Sequence, residues 1–131
     1  IFLENGLFFS GQRPAVNIGL SVSRVGSAAQ TKALKSAVGT LRLDLSQYRE
    51  MEVFTQFSND LDESTQKKLT YGKGLMYLLR QQRYQPLSQF EQTVLLTAAL
   101  GRVQTVIPVD MIDAFKKGFL AYIEERSPEL H

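Results

Sequence analysis

The sequence predicts a mainly α-helical protein in which a helical bundle follows a short segment of strand and loop. Two observations carry this prediction. From about residue 27 onward, apolar side chains recur every three or four positions, which places them on one face of a helix. Residues 1 to about 26 instead combine a short apolar run, turn-forming residues and many small side chains. The length of 131 residues suits one domain with a real core.

The first segment contains the only strand-like patterns of the chain. Residues 1–3 form a short apolar run, better suited to a strand than to a helix, and Asn5 and Gly6 can turn the chain after it. Residues 15–23 show a partial alternation of apolar and small polar side chains. Because one or two strands without partners are marginal in stability, we expect this segment to belong to a larger sheet outside the chain.

The first helical pattern is regular over several turns. Gly39 interrupts it, and a glycine in a helix interior costs about 1 kcal/mol relative to alanine, so we expect a kink there. The positions that share one face are Leu34, Val38, Leu41, Leu45 and Tyr48.

A polar loop is predicted at residues 58–65, and Asp62 in that loop is suited to cap the next helix. That helix is expected to run through residues 66–69. Gly72 and Gly74 are expected to mark a break before the apolar pattern continues.

The last third of the chain carries clear boundary signals. Pro86 ends one helical pattern, and Ser88 with Glu91 forms an S-x-x-E capping box that opens the next. The chain restarts at Pro108, and a final apolar stripe follows at Ile112, Phe115, Phe119 and Tyr122. From residue 27 to residue 131 we therefore expect a bundle of four or five helices.

Composition excludes several classes of site. Fifteen basic against thirteen acidic residues give a net charge of only +2, too small to indicate a nucleic-acid partner. The chain has no cysteine and a single histidine, His131, which leaves no basis for a thiolate or histidine metal centre. No apolar run is long enough to cross a bilayer. The chain starts at Ile1 without a methionine or a signal-peptide pattern, so we expect a piece of a longer protein.

Residue chemistry alone identifies one segment of interest. Residues 72–74 (GKG) lack the spacing and the Ser or Thr of a phosphate-binding P-loop, and acidic residues near Asp62 are explained by a solvated loop. Residues 21–30 (SVSRVGSAAQ) instead place Arg24 among small side chains at a strand-to-helix junction. An arginine offers a rigid fork of donors that suits phosphate oxygens, although a surface or salt-bridged arginine explains the pattern as well.

The same segment resembles the alpha subunit of F-type ATP synthases almost letter for letter, over residues 13–31 (RPAVNIGLSVSRVGSAAQT). The similarity continues at residues 47–50 (QYRE), 56–62 (QFSNDLD) and 78–86 (LLRQQRYQP), and it thins after Gly101 but extends to the end. The resemblance implies that residues 1–29 are the C-terminal edge of a nucleotide-binding domain. It further implies that residues 30–131 are the C-terminal helical domain, truncated at its end.

The resemblance implies a role for Arg24. Arg24 matches an arginine finger that points from the alpha subunit into the catalytic site of a neighbouring beta subunit. A guanidinium supplied in this way stabilises the charge that spreads over the phosphoryl oxygens in the transition state. A structural arginine at the interface is the alternative.

The resemblance also implies a nucleotide site that does not turn its ligand over. Phe8, Arg13 and Pro14 match positions around the adenine, and Gln81 matches a glutamine that reaches the same base from the helical domain. Where the family often has a second glutamine, this sequence has Arg83, which either stacks on the base or turns to solvent. For Phe8, simple core packing is the alternative.

The acidic segment from Asp60 to Glu63 matches a loop that faces the rotating central stalk, with a solvated loop as the alternative.

The implied partners are beta subunits in an alternating ring, the gamma stalk and the delta and b subunits of the peripheral stalk. The implied cofactors are ATP or ADP with Mg²⁺ in the intact complex, none of them expected to be held tightly by this piece alone. The implied location is peripheral to a membrane, on the cytoplasmic face in bacteria or its organellar equivalent.

The implied activity is ATP synthesis or hydrolysis coupled to proton or sodium transport, and the piece alone is expected to be inactive. We expect a loosely tied N-terminal arm that leaves Phe8 and Phe9 partly exposed and favours self-association. The alternative is a stand-alone helical interaction module without catalysis, in which Arg24 is dispensable. A P-loop encoded upstream of Ile1 would favour the ATP synthase interpretation over this module.

Overall fold

The computed structural model describes residues 1–55, 57 and 61–126. The described part is mainly helical, which confirms the predicted fold class. The α-helices are α1 (Asn5–Phe9), α2 (Arg24–Ala29), α3 (Lys32–Val38), α4 (Leu41–Thr55), α5 (Glu63–Leu78), α6 (Gln89–Leu100) and α7 (Ile112–Arg126). Short 3-10 turns at Val103–Thr105 and Val109–Met111 lie between α6 and α7.

The core lies where α4, α5, α6 and α7 meet. Leu75 and Ala99 have no exposed surface, and they pack in one cluster with the other buried apolar side chains of this region. The cluster members are Leu41, Leu45, Leu75, Leu78, Ala99 and Ile112. Burial of each leucine or isoleucine contributes about 1.5–3 kcal/mol, so these side chains dominate the stability of the bundle.

The first segment differs from its prediction. In the described residues no strand forms, and the extended backbone makes a single antiparallel bridge between Leu3 and Val16. The expected turn at Asn5 and Gly6 is instead the start of α1, whose N-cap residue, Glu4, gives no side-chain hydrogen bond to the helix. Helix α1 is too short to be stable alone, so its packing through Leu7 is what holds it.

The segment of residues 1–23, here called the arm, is attached to the helical bundle at several points. Arg49 in α4 forms an ion pair with Glu4 (3.1 Å), and Arg42 donates to the Ser21 carbonyl oxygen (2.7 Å). Ile18 packs against the core cluster. The structure therefore differs from the expected loose attachment, whereas Phe8 and Phe9 are exposed as expected, at 44% and 81%.

Three glycines act differently from the prediction. Helix α3 ends before Gly39, whose φ of 44° lies in the region that favours glycine, so the chain breaks there instead of bending within one helix. Helix α5 continues without interruption through Gly72 and Gly74, so the prediction of a break there is wrong. Both are buried, and they give room to Tyr48 and Gln104 from neighbouring elements.

The predicted helix starts are confirmed. Ser88 caps α6 by accepting from the Glu91 amide, and the Glu91 carboxylate accepts from the Ser88 amide in return. Asp62 caps α5 by accepting from the Thr65 amide (3.1 Å). In the described residues, no helix combines the length and apolar character that a membrane span requires.

Candidate functional site

One candidate site is a cavity of about 1060 Å³ at the junction of three elements. The arm forms one wall, the segment that follows α5 forms a second, and α7 forms a third. Four residues that were predicted to act together line this cavity: Phe8, Arg13, Pro14 and Gln81. Pro14 and Gln81 are 67 positions apart in the sequence. The fold thus brings them to one place.

The arm presents a stacked, flat surface. The Arg13 guanidinium lies 4.1 Å from the centroid of the Phe8 ring, a cation–π contact that orders both side chains. Phe9 packs edge-on against Phe8 (5.6 Å between centroids), and Pro14 continues the wall. Phe8 is 44% exposed in the described structure and lies outside the buried apolar cluster.

The opposite wall is set by Gln81. Its backbone amide donates to the Arg13 carbonyl oxygen (2.8 Å), which joins the two walls directly. Its side-chain Nε2 donates to the Gln85 carbonyl oxygen (3.0 Å) and closes the turn of residues 81–85. A carbonyl accepts only from the NH₂ end of an amide, so the Gln81 Oε1 atom remains available as an acceptor.

Arg83 and Tyr84 share the outer rim of this turn. Tyr84 has a φ of 60°, an uncommon backbone conformation for a bulky residue, and its ring is 86% exposed. The Arg83 guanidinium lies 5.1 Å from the centroid of that ring. Arg83 thus lies beside Tyr84 and also lines the cavity.

The cavity is lined by an excess of cations. The basic side chains are Arg13, Arg80, Arg83, Lys116 and Lys117, and the acidic one is Asp113. Lys116 is half-buried and donates to the Arg80 carbonyl oxygen. Burial lowers the pKa of the Lys116 ammonium, because removing water penalises its charged form.

The sequence analysis assigned no role to three of these cations, Arg80, Lys116 and Lys117. Arg80 lies in the segment 78–86 that carries the family resemblance, which was the signal that could have identified it. Lys116 lies on α7, 35 positions from Gln81, in a part of the sequence with no motif. Lys116 reaches the cavity because α7 packs beside the end of α5.

Arg24 lies away from the cavity, at the first position of α2. Ser23 caps that helix by accepting from the Gly26 amide (2.9 Å), and a Cβ at Gly26 would lie 2.6 Å from Ser23 Oγ, so a larger residue there would require the serine cap to shift. Arg24 is exposed, between Val22 and Val25, which are 75% and 80% exposed. No hydrogen bond or ion pair joins its guanidinium to another described residue.

The acidic segment after α4 is described only in part, since Asp60 lies outside the described residues. Asp62 is used as the N-cap of α5, and its hydrogen bonds with Thr65 lower the pKa of its carboxyl. Glu63 pairs with Lys67 one turn later (2.9 Å). Both described carboxylates thus have local structural roles.

The family model and the relatives that match this chain all concern ATP synthase subunits. Residues 30–131 match the family model described as "ATP synthase alpha/beta chain, C terminal domain". The chain is 55% identical over 125 residues to the ATP synthase subunit alpha of Petrotoga mobilis, a match that covers 95% of this chain and 25% of that protein. It is 51% identical over 130 residues to the ATP synthase subunit alpha of Lawsonia intracellularis, covering 99% of this chain and 26% of that protein. The chain therefore spans about a quarter of the length of these relatives.

Proposed function

The chain belongs to the ATP synthase alpha/beta chain family, as its C-terminal domain, and from this membership we propose two roles for it. Within an alpha subunit, the cavity between the arm and the helical bundle forms part of a nucleotide site that does not turn its ligand over. Arg24 reaches a neighbouring beta subunit and takes part in catalysis there. The similarity to alpha subunits covers nearly the whole chain, which confirms the resemblance found in the sequence.

The convergence of Phe8, Arg13, Pro14 and Gln81 on one cavity is the observation that carries the nucleotide site. An aromatic ring, a stacked guanidinium and a proline offer flat surfaces of the kind that packs against a purine. The cavity volume of about 1060 Å³ lies at the upper end of the range for small-molecule sites. Its cationic lining favours an anionic ligand such as ATP or ADP.

Gln81 supports a preference for adenine. Its Nε2 atom donates to the Gln85 carbonyl oxygen, which leaves Oε1 as the acceptor that a ligand could use. An acceptor suits the exocyclic amino group of adenine, whereas the carbonyl of guanine would present a second acceptor. Arg83 beside Tyr84 then contributes charge at the rim and leaves recognition of the base to Gln81.

The exposure of Arg24 supports a role outside this chain. Its guanidinium has no partner among the described residues, and the exposed Val22 and Val25 on either side provide apolar surface for a neighbouring subunit. An arginine supplied in trans to a phosphoryl-transfer site accelerates the reaction by roughly 10³ to 10⁵. The chemistry is ATP synthesis or hydrolysis with Mg²⁺ at the beta subunit, coupled to proton or sodium transport.

The proposed partners follow from the same membership. They are beta subunits alternating with alpha in a ring, the gamma subunit as central stalk, and the delta and b subunits as peripheral stalk. The complex is peripheral to a membrane, on the cytoplasmic face in bacteria or the equivalent organellar face. The acidic segment that includes Asp62 and Glu63 is proposed to face the central stalk.

Nucleotide binding tests the cavity directly. In a full-length alpha subunit that carries this sequence, we expect Gln81→Leu to weaken ATP binding by about tenfold or more, the effect of one lost hydrogen bond to the ligand. Gln66→Leu is the matched control, because Gln66 also donates to a backbone carbonyl, that of Leu61 (3.4 Å), outside the cavity. Equal ATP affinity for the wild type and both variants would reject the proposed site.

A further inference from the structure

We propose that Gln12 and Arg80 act together as positioning residues that hold the two walls of the cavity at their working separation. Neither residue was assigned a role by the sequence or by the family resemblance. The identity of the ligand in this proposal rests on the proposed function above, whereas the contact between the walls rests on geometry alone.

The first step concerns the carbonyl groups at the end of α5. The last carbonyls of a helix have no intrahelical donor and need other partners. The Arg80 amide turns back to the Tyr77 carbonyl oxygen (3.2 Å), and the Met76 carbonyl oxygen accepts instead from Gln12 Nε2 (3.0 Å). A residue of the arm, 64 positions earlier, thus completes the end of this helix.

The second step concerns the other end of the Gln12 amide. Gln12 Oε1 accepts from Arg80 Nε (3.2 Å), so both ends of this side chain are bonded. Gln12 is only 6% exposed, and burial makes the loss of either bond costly. Gln12 is therefore a two-ended link between the arm and the end of α5.

The third step concerns how Arg80 is held. Its guanidinium lies 3.8 Å from the centroid of the Tyr77 ring. Gly11 also lies against the guanidinium: a Cβ there would be 3.6 Å from an Arg80 nitrogen, and its φ of 94° favours glycine. The Arg80 carbonyl oxygen accepts from Lys116 on α7. Arg80 is thus fixed by contacts with α5, the arm and α7.

The fourth step connects this link to the cavity. Gln12 directly precedes Arg13, and Arg80 directly precedes Gln81, so the pair 12–80 lies one residue before the pair 13–81 on both segments. The second pair is joined by the bond from the Gln81 amide to the Arg13 carbonyl oxygen (2.8 Å). A change in the separation of Gln12 and Arg80 is therefore transmitted to the two residues proposed to contact the ligand.

If Gln12 only filled space, its hydrogen bonds to the Met76 carbonyl and to Arg80 Nε would not be needed. An apolar side chain of similar size, such as leucine, would fill the same volume without hydrogen bonds, at the cost of leaving the Met76 carbonyl and the Arg80 Nε group unpaired. The geometry accordingly predicts that Gln12→Leu disturbs the placement of Gln81 more than it disturbs the fold.

Hydrogen exchange tests the positioning role without any ligand. In the full-length alpha subunit, we expect Gln12→Leu to speed amide exchange in the peptide that contains Gln81 by about tenfold or more, as expected for a weakened hydrogen bond. Gln66→Leu, whose partner Leu61 lies away from the cavity, should leave that peptide unchanged. Arg80→Lys, which keeps the charge but removes the fixed fork, should reproduce the effect of Gln12→Leu and serves as the second variant if the first does not fold.

ATP affinity then tests whether the positioning matters for the ligand. We expect each single variant to weaken ATP binding by about tenfold, and the double variant to be little worse than either, because two residues that act through one contact are not additive. Unchanged exchange at Gln81, or additive losses of affinity, would overturn the proposal. If the wild type binds no ATP, the proposed function fails, and the exchange result alone decides the positioning role.

Discussion

Gly72 in α5 lies against the ring of Tyr48 in α4 so closely that a Cβ at Gly72 would be 2.3 Å from two ring atoms. Cβ atoms in proteins do not approach other heavy atoms to that distance, and the Tyr48 Cβ would lie only 2.6 Å away. Rotation of the Tyr48 side chain leaves its Cβ in place, so no change of rotamer would relieve this contact. Helices α4 and α5 pack at a distance that only a glycine at this position permits.

Gly72→Ala should destabilise the chain despite the better helix propensity of alanine. We expect a net loss of about 2 kcal/mol in the free energy of unfolding, since overpacking costs typically 1–3 kcal/mol. Gly118→Ala on α7 is the matched control, because no atom lies within 4 Å of its Cβ position. That variant should gain up to about 1 kcal/mol from helix propensity. Urea unfolding of both variants makes the comparison, and equal shifts in the same direction would contradict the close packing.

Glycine is also where sequence-based prediction met its main difficulty. A glycine in a helical pattern indicates a weak helix when only propensity is considered, and Gly72 and Gly74 were accordingly expected to break α5. The contacts that require them come from Tyr48 and Gln104, which are distant in sequence. Tertiary contact overrode propensity at both positions. At Gly39 the pattern did locate a real interruption, although its strength was underestimated.

The Glu4 carboxylate should make stability depend on pH. Its hydrogen bond from Asn17, and then its contact with Arg49, lower the pKa of Glu4 below the ordinary value of 4.5. A depressed pKa in the folded state contributes stability above the unfolded value, and this contribution is lost as pH falls through the folded value. The stability difference between the wild type and Glu4→Gln should therefore be largest above pH 4.5 and shrink in more acidic solution.

Urea unfolding at several pH values measures this difference. Glu125→Gln, at an exposed position of α7, is the control and should differ from the wild type by a small and nearly constant amount. A difference for Glu4→Gln that stays constant from neutral pH to pH 3 (about 1.5 units below the ordinary value) would show that the carboxylate contacts do not stabilise the arm.

Tyr71 should titrate late and make the fold sensitive to alkali. Burial, and then the hydrogen bond to the Asp44 carboxylate (3.1 Å), raise the pKa of Tyr71 to about 12. The unfolded chain loses this proton near the ordinary value of 10.0, so stability should fall as pH rises from there toward 12. Burial also raises the pKa of Tyr48, so absorbance titration of tyrosinate should show a late component from both residues. Tyr71→Phe should reduce the amplitude of that component, whereas Tyr84→Phe should leave it unchanged. An undiminished late component in Tyr71→Phe would contradict the assignment.

The features predicted well are those in which the interacting groups lie close together in sequence. The capping box of Ser88 and Glu91 and the cap at Asp62 depend on residues three positions apart, so the sequence contains all the information. Helix α1 was missed because its five residues carry no capping side chain and gain stability from packing. The link between Gln12 and α5 was missed because it closes over 64 residues.

At the candidate site, too, contacts between residues that are distant in sequence could not be predicted from local patterns. Residue chemistry could single out Arg24 but not group Phe8, Arg13 and Pro14 with Gln81, and the family resemblance was needed for that grouping. The cavity that the four residues line supports the grouping, and it adds Arg80, Lys116 and Lys117, to which the sequence analysis assigned no role. Tertiary packing at the end of α5 supplied what the sequence lacked.

Arg24 offers the most direct test of the proposed function. The measurement is steady-state ATP hydrolysis by the assembled complex, with wild type, Arg24→Ala and the control Lys32→Ala, which removes an exposed cation at the start of α3. Equal assembly is checked first by size. We predict a loss of about a thousandfold or more for Arg24→Ala, as for other arginines supplied in trans, and near wild-type turnover for Lys32→Ala. Near-normal turnover by a correctly assembled Arg24→Ala complex would contradict the account and leave Arg24 a structural role.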